Sequence, residues 1–114
     1  MKKLKKMDKI EFITTALELT KARLGISTTV RDALLRNAVE SIIEELEDEK
    51  GLTLKYDSPL HLDFVKDYAV WRYQSAFETQ TTSTSRPLSI PRHLQFRLHN
   101  LIIHQKGGSN DQDV

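Results

Sequence analysis

Asp63 and Asp67 stand one helical turn apart, with His61 and Lys66 close by. Paired carboxylates at that spacing are what general acid–base chemistry would need. No second cluster completes a mechanism. The chain holds no cysteine, no glycine-rich phosphate loop, no nucleophile elbow and no Cys-His pair. The two aspartates therefore read as the solvent-facing sector of a helix. Four histidines, His61, His93, His99 and His104, raise the question of a metal. A helical metal pair wants i,i+3 or i,i+4 spacing. The nearest pair, His99 and His104, is five apart, which turns the two rings roughly 140° apart on a helix advancing 100° per residue. No His-Glu-x-x-His pattern occurs. The expectation is a non-enzymatic chain with no cofactor and no bound metal.

The bulk numbers are consistent with that. At 114 residues the chain is one domain by length, and folding should bury roughly 65% of its unfolded surface, enough for one modest core. A net charge of +1 gives no global field toward nucleic acid. The opening "MKKLKKMDK" is basic, but Glu11 and Glu18 follow and no small-residue cleavage site does, so it reads as a flexible tail over 1–7 rather than a secretory signal. No apolar run approaches the roughly 18 residues that span a membrane.

Hydrophobic periodicity predicts four helices, a small all-α bundle with one domain over 8–106. The first helix covers 8–24, with Asp8 and Glu11 as a capping box and Gly25 as the stop. Ile10, Ile13, Leu17 and Leu24 form its stripe. The second covers 29–50, with Thr29 and Asp32 as a capping pair and a broad apolar face from Leu34 to Leu46, ended by Gly51. Leu52, Leu54 and Tyr56 then alternate, which predicts one short extended segment, an edge strand at most. Ser58 and Pro59 start the third helix, which continues to about 79 and is apolar on most sides. A helix of that kind is central to a core or meets a second chain. A long polar loop over 79–90 follows. The fourth helix runs from 91 to 106 on Leu94, Leu98, Leu101 and Ile102, and "GGSNDQDV" over 107–114 reads as a disordered tail.

A helix, a glycine turn and a second helix in "TKARLGISTTVRDALLRNAVESI" are loosely like a helix-turn-helix, so a small DNA-binding regulator is the alternative function. The second of those helices carries Arg31 and Arg36 but then Glu40, Glu44 and Glu45. An acidic run suits phosphate contact poorly.

Three features suit association better. Phe12 with Leu19, and Phe96 with Ile103, form second ridges seven residues apart; either a small bundle wraps both faces of these helices or the ridges meet a neighbour. Charge is segregated: Glu44, Glu45, Glu47 and Asp48 crowd the end of the second helix, whereas Arg86, Arg92 and Arg97 lie on and before the fourth. Such polarity can steer head-to-tail packing. The polar loop, finally, is long enough when extended to reach about 40 Å and to order on a partner.

"VKDYAVWRYQSAFE", a polar loop, then "PRHLQFRLHNLII" resembles the small head–tail connector (adaptor) proteins of long-tailed bacteriophages, sometimes labelled DNA packaging proteins. "LLRNAVESIIEELEDEKGLTLKYD" is similar to the upstream part of that pattern, so the resemblance covers about 30–105. "PRHLQFRLHNLI" is its most specific element. The lysine-rich first six residues depart from it, and Met7 is a second candidate start. The resemblance implies an all-α fold without catalysis. It also implies a subunit that joins a ring under the portal protein, encloses DNA without reading its sequence, and receives the stopper or next connector. The expected location is the virion head–tail interface, and the host cytoplasm during assembly. On the helical wheel, the residues expected at interfaces are Phe12, Leu19, Glu44, Glu45, Glu47, Asp48, Arg86, Arg92, Phe96, Arg97 and Ile103.

Overall fold

The computed structural model describes the backbone of residues 8–82 and 90–113, and the side chains of residues 8–75 and 90–105. Four helices follow in order: α1 (Lys9–Leu24), α2 (Asp32–Asp48), α3 (Pro59–Thr82) and α4 (Arg92–Asp113). No strand occurs among the described residues, so the all-α bundle expected from periodicity is the observed fold. Among the described residues α3 packs against each of the other three helices, whereas α4 packs against α3 alone.

Local chemistry sets most of the boundaries. Asp8 Oδ1 accepts from the Glu11 N–H at 2.9 Å, and Glu11 Oε1 accepts from the Asp8 N–H at 3.2 Å, the reciprocal pair of a capping box. Gly25 stops α1 at φ 76°, a left-handed conformation that a side chain would strain. Ser58 Oγ accepts from the His61 N–H and starts α3 ahead of Pro59. The cap predicted for α2 does not form. Neither Thr29 nor Asp32 makes a side-chain cap; the Asp32 N–H bonds the Thr29 carbonyl, and the Asp32 carboxylate is drawn instead to Lys21 on α1 at 2.7 Å.

Two helix ends also shift. α3 continues to Thr82, into the polar run expected as loop, and α4 continues past Gly107 and Gly108 to Asp113 rather than ending by Lys106. Glycine costs a helix about 1 kcal/mol relative to alanine but does not forbid it. The remaining loop residues 83–89 and the basic tail over 1–7 lie outside the described residues.

On α1 the buried arc falls between the two ridges read from the sequence. Phe12, Ile13, Ala16, Leu17 and Thr20 are buried, while Ile10 from one ridge and Leu19 from the other are 69% and 38% exposed. Ala16 and Thr20 are small enough to let neighbours approach the middle of that arc. The Thr20 hydroxyl spends its proton on the Ala16 carbonyl at 2.7 Å, so it is buried without a lost hydrogen bond.

The segment after α2 shows the predicted alternation without becoming a strand. Gly51, at φ 75°, reverses the chain so that the Leu52 N–H reaches the Leu46 carbonyl. Leu52 and Leu54 are buried, and Tyr56 packs on Phe12 with ring centroids 5.2 Å apart. The outward N–H groups find side chains rather than a neighbouring strand: Thr53 donates to Gln105 Oε1 at 2.8 Å and Lys55 to His61 Nδ1 at 3.0 Å, while Gln105 Nε2 donates to the Gly51 carbonyl at 3.3 Å. Helices α3 and α4 thus satisfy backbone groups that a sheet would otherwise have to satisfy.

Candidate protein-interaction surfaces

Phe96 and Ile103 lie on the side of α4 turned away from α3, and are 66% and 52% exposed. Spacings of four, three and four residues place Arg92, Phe96, His99 and Ile103 in one stripe. All four are exposed. The opposite side of α4 supplies Leu94 and Leu98 to the core, with Leu101 and Ile102 partly buried against it. A helix with one packed face and one apolar-cationic outer face has a surface that no described residue covers.

At the other end of the charge distribution, Glu40, Glu44 and Asp48 succeed one another at four-residue steps along α2. With Glu47, Lys9 and Ile13 they line a groove of about 440 Å³ between α1 and α2. Like charges at that spacing cost a helix about 0.2–0.5 kcal/mol per pair. Their place near its C-terminus adds to the cost, because the helix dipole disfavours anions there. Glu44 and Asp48 have no ion-pair partner among the described residues, whereas Glu40 has a loose one in Arg36 at 3.7 Å.

Several of the residues expected at an interface turn out to serve the fold. Phe12 is 0% exposed and belongs to the core against Tyr56; the exposed apolar residue near it is Ile10, two positions earlier. Glu45 faces α3, where it accepts from the Tyr68 hydroxyl at 2.7 Å and from Arg72 at 2.8 Å. The Arg72 guanidinium also stacks over the Tyr68 ring at 4.9 Å. Burial alone would raise the Glu45 pKa, but the two bonds and the Arg72 charge outweigh it and lower it. The same burial, together with the bond to a carboxylate, pushes Tyr68 up to about 12. Glu47 is half used, holding the Tyr56 hydroxyl at 3.4 Å from the wall of the acidic groove.

Arg97 likewise points inward. One of its nitrogens donates to Asp67 at 2.6 Å and the other to Asp63 at 3.1 Å, with the guanidinium 5.4 Å from the centroid of the Phe64 ring. Lys66 bonds the same two carboxylates at 2.8 and 3.1 Å. Asp63 is exposed, as expected, and Asp67 is half-buried; with Lys66 they form the α3 side of a four-charge network that fastens α4. Their one-turn spacing is legible in the sequence, whereas their partner 30 residues on is not. Arg86 lies outside the described residues.

His61, buried at the start of α3, accepts from the Lys55 N–H through Nδ1, so its proton resides on Nε2. Burial and the Lys55 charge lower its pKa against a smaller opposing effect of Asp57. With Leu60, Phe64, Arg97 and His104 it lines a second groove, about 580 Å³, between α3 and α4. No group of three or more His, Asp or Glu among the described residues is placed to hold a metal. No described helix is long and apolar enough to cross a membrane. No known protein family, curated protein or solved structure matches the chain.

Proposed function

We propose that this chain is a structural assembly subunit, and specifically a head–tail connector of the bacteriophage adaptor kind. In this reading it docks as part of a ring beneath a portal, extends the DNA channel and passes the assembly on to a stopper. The observation that carries the reading is the outer stripe of α4. Phe96 and Ile103 are large, apolar and exposed within the segment most specific to the connector resemblance, "PRHLQFRLHNLI". A monomer gains nothing from exposing them, while an interface core is built from such residues. The acidic α2 groove supports the same reading, since the repulsion of Glu44 and Asp48 costs stability and neither has an ion-pair partner among the described residues.

The rival helix-turn-helix reading has less behind it. α2 would have to lie against phosphates with its acidic ladder, and Arg31 and Arg36 already have partners in Tyr73 and in Thr14 and Glu40.

The test is a double variant, Phe96→Ser with Ile103→Ser, mixed with purified cognate portal rings and sedimented. The variant keeps its helical circular dichroism and stays in the supernatant, while the parent chain pellets with the portal. A variant that still pellets, or one that loses its helices, overturns the assignment of these side chains to docking.

A further inference from the structure

The two uncovered surfaces are complementary, and we infer that the outer stripe of α4 on one copy seats in the acidic α1/α2 groove of the next. This deepens the connector reading, on which the closing of such an array into a ring rests. The pairwise contact itself can be tested without a portal.

Charge decides the occupant. The groove presents four carboxylates, Glu40, Glu44, Glu47 and Asp48, against one cation, Lys9. The α4 stripe presents Arg92, and from Arg92 to Gln105 that helix carries no acidic residue. The apolar groups also match. Ile13 lines the groove. Ile10 lies one turn before Thr14 and on the same side of α1 as Lys21; those two contact Arg36 and Asp32 on α2, so Ile10 stands on the α2-facing side and is exposed. Phe96 and Ile103 bring apolar bulk of their own.

The two surfaces lie on different helices: the groove is walled by α1 and α2, and among the described residues α4 packs on α3 alone. A single chain keeps its own two surfaces apart, so the partner is a second copy. The pairing is also heterologous. Groove on groove would oppose carboxylates, and stripe on stripe would leave Arg92 without one, so neither surface pairs with its own like. Heterologous contacts propagate, closing into rings where the rotation permits.

Charge-swapped variants test this by sedimentation velocity over a concentration series at low salt. Variant one carries Glu44→Lys and Asp48→Lys; variant two carries Arg92→Glu and His99→Glu. All four positions are exposed, and circular dichroism checks that each variant is folded. The parent chain associates with rising concentration and less so with added salt. Each variant alone stays monomeric, because its groove and stripe now carry the same sign. An equimolar mixture recovers association, since each variant's groove then meets the other's stripe. A parent chain that stays monomeric throughout, a first variant that associates like the parent, or a mixture that stays monomeric overturns the contact. A parent chain that associates in this manner yet leaves a portal bare would instead defeat the connector reading and leave the contact standing.

Discussion

Arg97 on α4 and Asp67 on α3 meet at 2.6 Å, and the same guanidinium spans to Asp63 one turn away. Among the described residues α4 packs on no other helix, so this fork, together with Leu94, Leu98 and the Gln105 bonds to Thr53 and Gly51, sets how firmly the proposed docking helix is presented. Replacing Arg97 by Met keeps the packing on Phe64 and removes the fork. The expected loss is about 1–2 kcal/mol in chemical denaturation, smaller at high salt because the pair is partly exposed. Burial alone would raise the Asp67 pKa, but the Lys66 and Arg97 bonds outweigh it and hold it below its ordinary value. Its stabilisation is therefore present above the unfolded value of 3.8 and is lost as pH falls through the folded one. An unchanged denaturation midpoint in the variant would remove the fork from the account.

Tyr68 should be distinguishable in an alkaline titration. The chain has three tyrosines, and burial with the Glu45 bond places Tyr68 at about 12. Burial and Glu47 also raise Tyr56, so ultraviolet difference absorbance should show Tyr68 as the last phenol to ionise, and Tyr68→Phe should remove that last step at a stability cost of about 1 kcal/mol. A late step that persists in the variant would belong to another tyrosine.

His61 makes stability fall on the acid side. Its folded pKa is lowered from 6.5, so below that value the unfolded chain binds more protons than the folded one. The contribution is complete above the unfolded pKa and is lost as pH falls through the folded one. Protonation at Nδ1 would also break the bond from the Lys55 N–H. Thermal midpoints measured between pH 7 and pH 5 should drop in the parent and flatten in His61→Gln; equal slopes would contradict this.

Phe12 and Phe96 should behave oppositely although both were expected at an interface. Phe12→Ala empties the core beside Tyr56 and should cost about 3–5 kcal/mol. Phe96→Ser should leave stability within about 0.5 kcal/mol. Urea denaturation of the two variants separates them, and equal losses would place Phe96 in the core.

Glu44→Gln should stabilise the isolated chain by a few tenths of a kcal/mol, because it relieves the ladder with Glu40 and Asp48 near the end of α2. A stabilised variant that assembles poorly is the outcome expected if that repulsion is retained for docking. Loss of stability would mean that Glu44 has a favourable role in the monomer.

The sequence announces what is local. The Asp8–Glu11 box, Gly25, the Ser58–Pro59 start and the alternation of Leu52, Leu54 and Tyr56 are each decided within a few residues, and each is where periodicity and cap chemistry put it. It is less clear about orientation. Ile10 and Phe12 both fit an apolar face of α1; only the approach of α2 and α3 decides that Phe12 goes in and Ile10 stays out. Asp32 abandons its local cap for Lys21, a partner on another helix, and Glu45 and Arg97 turn from candidate docking charges into internal pairs for the same reason. Long-range charge pairing leaves no periodic trace in a single sequence.

The central claim, that this chain is a connector subunit, is tested most directly by electron microscopy of the protein mixed with its cognate portal. The account predicts a ring of added density capping the portal, built of repeated subunits with α4 at a contact. Portal rings that remain bare, in the presence of excess folded chain, would contradict it.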